Sequence, residues 1–187
     1  MTKSCKEKLT RMIYTWRVRT GFLLGLIAVI LARPEWPFIL AGMTVCILGL
    51  LLRGWAAGYL RKEKELAVCG PYRFTRNPLY LGNFLLFIAI SLASRSLWVA
   101  GLFLLYLLIF FPVITAYENR RMESLFPEAF TEYRKKVQAF LPTFRPAEKS
   151  KSQEFSWKNF KKNKELRASA GALIFWSALL LKMLFFS

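Results

Sequence analysis

The polar side chains suited to chemistry in this 187-residue chain fall mainly in two segments. Residues 64–82 read KELAVCGPYRFTRNPLYLG, with turns expected at Gly70-Pro71 and Asn77-Pro78, and residues 116–142 read AYENRRMESLFPEAFTEYRKKVQAFLP. Neither segment contains a histidine or an aspartate, because the whole chain lacks both. Metal sites and Ser-His-Asp triads are therefore not expected, and glutamate, lysine, tyrosine and cysteine are the titrating groups left for chemistry.

Glu118 is the first candidate for a catalytic group. It lies one or two helical turns beyond a long apolar run, where a carboxylate is costly unless it is paired. Arg120 and Arg121 are its nearest cations in the sequence. Two interpretations are open: these arginines act with Glu118 in a catalytic site, or one of them forms a structural ion pair with it.

The first segment contains two arginines and two tyrosines that suit ligand binding. Arg73 and Arg76 lie three positions apart, between Tyr72 and Tyr80. Two interpretations are open here. Either these side chains contact a bound ligand, or the arginines anchor the chain at lipid phosphates while the tyrosines join an aromatic belt.

The elements that must position these side chains are apolar helices. Hydrophobic residues make up 55% of the chain, and a ~30 Å hydrocarbon core requires roughly 20 residues per spanning helix. Five apolar runs meet or approach this length, at residues 14–32, 36–52, 80–92, 97–114 and 168–186. The third is short, which suits a tilted or re-entrant helix. We therefore predict an all-α membrane protein with about five transmembrane helices, in which a signal peptide is the alternative for the first run.

Positive charge is strongly segregated between these runs. The formal net charge is +17, and 25 of the 28 lysines and arginines fall on one side of the predicted bilayer. The other side carries Arg33, Arg95 and Lys182. The positive-inside rule places the basic side and the N-terminus in the cytosol, with the C-terminus opposite. Anionic lipid headgroups are the expected partner of the basic residues, and no nucleic-acid-binding signature is present.

The two polar segments together resemble the isoprenylcysteine carboxyl methyltransferase family and related membrane phospholipid methyltransferases. The family pattern is roughly H-x-L-V-x-x-G-x-Y-x-x-x-R-H-P-x-Y-x-G, followed by a span, a Glu pair and a basic amphipathic helix. The resemblance covers about residues 53–142. It rests on an ordered set of residues, namely Leu66, Ala67, Gly70, Tyr72, Arg76, Pro78, Tyr80, Gly82, Glu118 and the stretch 126–142.

This resemblance implies methyl transfer from S-adenosylmethionine at a cytosolic cofactor-binding face of a helical membrane fold. Glu118 is the candidate catalytic group, and we expect Arg120 or Arg121 to orient an acceptor. The expected cofactor contacts are Leu66, Ala67, Tyr72, Arg73, Arg76, Asn77, Pro78, Leu79, Tyr80 and Glu118. Within this set we expect an arginine to hold the cofactor's carboxylate and a tyrosine ring to face its sulfonium.

The chain departs from the family pattern at three positions. Lys64 and Asn77 stand where the family has histidines, and Asn119 replaces the second Glu of the pair. Asn77 still donates and accepts hydrogen bonds, but it cannot replace a titrating imidazole.

A chain without histidine or aspartate suits O-methylation of a carboxylate, because this nucleophile has no proton to lose. The expected acceptor is lipid-soluble or lipid-anchored. The alternatives are N-methylation of a phospholipid or amine, an NADPH-dependent membrane reductase, and a non-catalytic protein that retains the scaffold.

The chain is predicted to have three parts. Residues 1–146 form the methyltransferase core with four spans and an amphipathic helix, residues 147–167 a basic cytosolic or interfacial linker, and residues 168–187 a C-terminal transmembrane helix. In the linker, Phe155, Trp157 and Phe160 are expected to dip between lipids while lysines meet phosphates. The sequence does not indicate the oligomeric state.

Overall fold

The computed structural model of the chain describes residues 3–62, 64–143 and 153–186. Within these ranges the secondary structure is helical, with no strand. In chain order the elements are α1 (Lys3–Leu31), α2 (Trp36–Tyr59), a 3₁₀ turn (Gly70–Arg73), α3 (Pro78–Ser94), α4 (Leu97–Leu125), α5 (Pro127–Lys136), α6 (Trp157–Lys162) and α7 (Leu166–Phe186).

Prolines mark the starts of several elements. Pro71, Pro78 and Pro127 each occupy the first turn of the element that contains them. Proline lacks a backbone N–H and has a fixed φ, so it fits a position whose N–H has no helical partner. At the other end of α3, Arg95 takes a left-handed φ of 49° and turns the chain into α4.

The long helices correspond to the predicted membrane spans. Among the described residues, α2, α4 and α7 are long and apolar enough to cross a membrane. α3 is apolar but has 17 residues, which gives it a length of about 26 Å. α1 contains the first predicted apolar run in its C-terminal part. The prediction of an all-α membrane protein is confirmed, and five helices lie at the five predicted runs.

α2 and α3 form an antiparallel pair. At one end the backbone N–H of Arg33 donates a 2.9 Å hydrogen bond to the carbonyl of Ser94. At the other end the Arg53 side chain donates to the carbonyl of Leu79 over 3.4 Å. α3 therefore runs antiparallel to α2 from the turn at Arg33 to the level of Arg53.

Glycines allow the backbones of α2 and α3 to approach closely. A Cβ atom at Gly42 would come within 2.7 Å of the Ala89 carbonyl oxygen, and one at Gly49 within 3.0 Å of the Gly82 carbonyl oxygen. Small residues at such crossings permit tight helix packing inside a membrane.

The C-terminal helix belongs to the same core. Leu179 and Met183 of α7 are buried together with Ile39 of α2. The indole N–H of Trp176 also donates to the Sγ atom of Cys46 over 3.2 Å. α7 therefore packs against the bundle, although it lies outside the segment that resembles the methyltransferase family.

The three basic residues predicted on the sparsely charged side lie together. Arg33 and Arg95 lie in the turns that join α1 to α2 and α3 to α4, and Arg95 pairs with Glu35. The Nζ atom of Lys182 donates to two carbonyls at the end of α1, over 2.7 and 2.9 Å. The segregation of charge along the sequence thus corresponds to a segregation between the two ends of the bundle.

Candidate active site

Glu118 lies in a polar cluster at the end of the bundle opposite Arg95. The hydroxyl of Tyr80, in the first turn of α3, donates a 2.6 Å hydrogen bond to Oε1 of Glu118. Arg17 of α1 donates to the Tyr80 hydroxyl over 2.8 Å, and its guanidinium lies 3.9 Å from the carboxylate. Three helices therefore contribute one side chain each to this cluster.

The cluster is partly open. The side chains of Arg17 and Glu118 are 25% and 32% exposed, so a ligand can reach both. The hydroxyl of Tyr106 on α4 donates to the backbone carbonyl of Arg17 over 3.0 Å. This bond joins α1 to α4 and keeps Arg17 level with Glu118 along the axis of the bundle.

Arg76 lies on a second side of the site. Its guanidinium donates to the Asn119 side chain over 3.4 Å and lies 5.9 Å from the centre of the Phe130 ring. Its Nε atom is buried without a hydrogen-bond partner among the described residues. Burial lowers the pKa of this guanidinium from its usual value. A desolvated and incompletely bonded arginine of this kind favours an anionic ligand.

The loop between α2 and α3 packs against the end of α2 on one side and against α5 on the other. Ala67 and Tyr72 are buried against the end of α2, whereas Leu66 and Val68 pack against α5 and its neighbours. The hydroxyl of Tyr133 on α5 donates a 2.6 Å hydrogen bond to the backbone carbonyl of Tyr72. α5 therefore orders the loop that carries most of the predicted cofactor contacts.

Tyr72 is a neutral phenol beside this cluster. Burial raises its pKa well above the usual range, and Tyr133, Glu118 and Glu165 add smaller contributions in the same direction.

The residues just before α3 pair with the chain that follows α5. The backbone N–H of Arg76 donates to the carbonyl of Gln138 over 2.9 Å, and the Asn77 amide donates to the carbonyl of Ala139 over 2.7 Å. Asn77, which stands where the family pattern has histidine, thus makes a structural hydrogen bond that a neutral amide can provide.

Comparison with known proteins identifies the family. The phospholipid methyltransferase family matches residues 38–129 of the chain. The cobalt-zinc-cadmium resistance protein CzcN of Cupriavidus metallidurans is 32% identical over 152 residues, which cover 76% of this chain and 69% of that protein. The chain belongs to the phospholipid methyltransferase family. The family resemblance found in residues 53–142 is therefore confirmed, and the chain is an integral membrane protein of a methyltransferase family.

A second relative gives a similar match. The nickel-cobalt-cadmium resistance protein NccN of Alcaligenes xylosoxydans xylosoxydans is 33% identical over 136 residues, or 68% of this chain. The chain spans 62% of the length of that relative. No solved structure matches the chain.

The structure brings together most of the residues that the family pattern indicates. Tyr80 contacts Glu118, and Arg76 contacts Asn119, the residue that replaces the second Glu of the family pair. Leu66, Ala67 and Tyr72 line the adjoining loop, Arg73 ends the 3₁₀ turn, and Asn77, Pro78 and Leu79 lead into α3. In the described part of the chain, no group of three His, Cys, Asp or Glu side chains is arranged to hold a metal ion.

Arg120, the nearer of the two arginines predicted to act with Glu118, lies on another face of α4. Arg120 and Arg121 are exposed on α4. Residues two positions apart on a helix point to different faces, so Arg120 does not share the face of Glu118. Arg17 of α1 is the cation that the structure places at the carboxylate.

Sequence reasoning missed two arginines of this phospholipid methyltransferase family member. The count of charges treats Arg17 only as a topology signal, although a basic residue inside an apolar run is itself a signal of function. Arg53 bonds to Asn83 and forms a 2.8 Å ion pair with Glu165 just before α7. A Cβ atom at Gly82 would collide with the Arg53 side chain, so the glycine of the family pattern accommodates Arg53.

Proposed function

We propose that this chain transfers a methyl group from S-adenosylmethionine to a carboxylate on a lipid-soluble or lipid-anchored acceptor. The observation that carries the proposal is the cluster of Tyr80, Glu118 and Arg17 at the basic end of the bundle. Two of its members are family-pattern residues, and the ordered loop 66–80 adjoins it.

The residues present fit the proposed cofactor. The half-buried guanidinium of Arg76 suits the cofactor's carboxylate, and the partly exposed carboxylate of Glu118 suits its ammonium group. The ring of Tyr80, which is only partly buried, supplies an electron-rich face for a cation, whereas Tyr72 is buried beneath the site. S-adenosylmethionine supplies an activated methyl group, and a carboxylate acceptor takes it without first losing a proton.

The protein's own contribution is then to position groups and exclude water. Tyr80 fixes the orientation of Glu118 through its 2.6 Å hydrogen bond, and Arg17 balances the negative charge. An aromatic wall lies beside Tyr80, with the Phe111 ring 4.9 Å from Phe140 and Phe140 5.6 Å from Phe84. A dry wall of this kind strengthens electrostatic interactions within the site and suits a hydrophobic acceptor.

The remaining roles follow from charge and position. We place the basic end of the bundle and the N-terminus in the cytosol, with the C-terminus on the opposite side, because basic segments stay on the cytosolic side. Arg120 and Arg121 are exposed on the turn after Glu118, and we assign them to orienting the polar end of an acceptor.

Methyl labelling tests the proposal. The purified protein in lipid nanodiscs is incubated with methyl-labelled S-adenosylmethionine and an extract of native membranes. A Glu118→Gln variant serves as the control. We expect label in a hydrophobic species, released as methanol by mild base, with little label in the control. Base-stable label would instead indicate N-methylation, and the absence of label would contradict the proposal.

Ligand-induced stabilisation separates the methyltransferase from the reductase alternative. S-adenosylhomocysteine should raise the Tm of the purified protein, whereas NADPH should leave it unchanged. Stabilisation by NADPH alone would favour the reductase, and stabilisation by neither ligand would favour a non-catalytic protein.

A further inference from the structure

The segment at residues 153–165 is docked onto the end of α2. The side-chain amide of Asn163 donates to the carbonyls of Ala57 and Leu60, each over 2.9 Å. The backbone N–H of Ser156 donates to the carbonyl of Gly58 over 3.0 Å. The last carbonyls of a helix lack intrahelical partners, so these bonds satisfy groups that water would otherwise have to satisfy.

Aromatic rings strengthen the docking. The ring of Phe155 lies 6.1 Å from that of Tyr59, and any side chain at Gly58 would collide with it. A Cβ atom at Gly54 would come within 3.1 Å of the Phe160 ring. Phe155 and Phe160 therefore pack against α2, which differs from the expectation that both dip between lipids.

The same segment holds the loop that carries the candidate cofactor contacts. The Gln153 amide donates to the carbonyl of Leu66 over 2.7 Å and accepts a 3.1 Å hydrogen bond from the backbone N–H of Val68. At the other end of the segment, Glu165 forms its ion pair with Arg53, which also contacts Leu79 beside Tyr80. Residues outside the matched part of the family, 38–129, thus fix both ends of the site loop.

The face of α6 that points away from α2, here called the outer face, is basic and exposed. Its lysines at 158, 161 and 162, and Lys164 just beyond the helix, are exposed and form no ion pair with a described residue. Trp157 at the start of the helix is 69% exposed. Lysines grouped around an exposed tryptophan at the end of a membrane bundle suit the headgroup region of an anionic leaflet.

We propose that the outer face of α6 binds anionic phospholipid headgroups, and that this contact holds residues 153–165 against the loop at residues 66–68. Both faces belong to one short helix, so a partner that fixes the outer face also stabilises the inner contacts. The consequence for cofactor affinity rests on the proposed function, whereas the lipid contact and the ordering of the loop do not.

Hydrogen exchange at the Val68 amide tests the proposal without any cofactor, because this amide is bonded to Gln153. The full chain is compared in nanodiscs of phosphatidylcholine and in nanodiscs that also contain phosphatidylglycerol. One basic residue near an anionic surface corresponds to a factor of about five, so we expect exchange at least about fivefold slower in the anionic bilayer. High salt should reduce the difference, and inorganic phosphate added to phosphatidylcholine nanodiscs should not reproduce it.

Two double variants that each remove two positive charges test which lysines cause the difference in exchange between the bilayers. The double variant K161Q/K162Q should lose most of the difference between bilayers, whereas K135Q/K136Q, at the end of α5, should keep it. Protection of amides in the middle of α2 shows that each variant is folded. Equal exchange in the two bilayers, or equal losses in the two variants, would overturn the proposal. A lipid effect on Val68 in a protein that does not bind S-adenosylhomocysteine would leave this inference intact and contradict the proposed function.

Discussion

The hydroxyl of Tyr80 donates a 2.6 Å hydrogen bond to Glu118, although 38 positions separate the two residues in the chain. Tyr80 is placed by the proline that starts α3, and Glu118 lies on α4 beyond its apolar stretch. The bond joins the two polar segments of the sequence into a single site. It also gives Glu118 a defined orientation, which a lone carboxylate near a membrane boundary would lack.

Removing the Tyr80 hydroxyl should impair methyl transfer. Tyr80→Phe removes the bond to Glu118 and the acceptor for Arg17, and a hydrogen bond to a charged group contributes about 1.5 kcal/mol or more. We therefore expect turnover to fall by about tenfold, measured with methyl-labelled S-adenosylmethionine. Tyr106→Phe, which removes only the bond to the Arg17 backbone, is the control and should retain more activity. Equal losses in both variants would contradict a specific role for the bond between Tyr80 and Glu118.

Arg17 should matter to the site far more than its neighbour Arg19. Arg17 lies 3.9 Å from the Glu118 carboxylate, whereas the exposed Arg19 lies over the Trp16 ring at 5.4 Å. Arg17→Met leaves the carboxylate without its nearby cation, so we expect a loss of about tenfold in turnover or in S-adenosylhomocysteine affinity. Arg19→Met removes the same charge and should stay within about twofold of the original protein. Isothermal titration and labelled turnover measure both variants, and a similar effect of the two would contradict a specific role for Arg17.

The ion pair between Arg53 and Glu165 should stabilise the bundle. Their side chains are 14% and 8% exposed, and removal of one partner from a buried pair typically costs about 3 kcal/mol. Glu165→Gln should therefore lower the Tm of the protein in detergent. The double variant Arg53→Met with Glu165→Leu should recover part of the loss, because it leaves no buried charge. Glu132→Gln removes an exposed pair with Lys135 and should leave the Tm unchanged.

The glycine at position 82 should tolerate no side chain. A Cβ atom there would collide with the Arg53 side chain and lie 3.0 Å from the Gly49 carbonyl oxygen. Gly82→Ala should destabilise the protein by about 1–3 kcal/mol, the usual cost of overpacking a core. A Cβ atom at Gly101 on α4 would instead enter open space, with no packing neighbour within 4 Å, so Gly101→Ala should be neutral or slightly stabilising. Thermal unfolding of the two variants compares them directly, and equal stability would contradict the packing argument.

Composition and residue order predicted much of the architecture. The five apolar runs became five long helices because a hydrocarbon core admits few other structures for the backbone. The family pattern in residues 66–82 and at Glu118 indicated where the site lies. It did not indicate Arg17 or Arg53, because each lies on a helix outside the loop pattern, and helix packing alone decides which face meets a neighbour.

The sequence by itself determined the membrane class, the segregation of charge and the family, since these depend on local composition and on the order of residues. Tertiary structure alone decided which partners meet Glu118. It showed that Arg17 rather than Arg120 is the cation at the carboxylate, because Arg120 lies on another face of α4. It also showed that the predicted basic linker contacts the site loop, since Gln153 bonds to Leu66 and Val68 while Asn163 donates to the carbonyls of Ala57 and Leu60 at the end of α2. The bonds of Asn163 join residues about a hundred positions apart, and no local sequence pattern predicts such contacts.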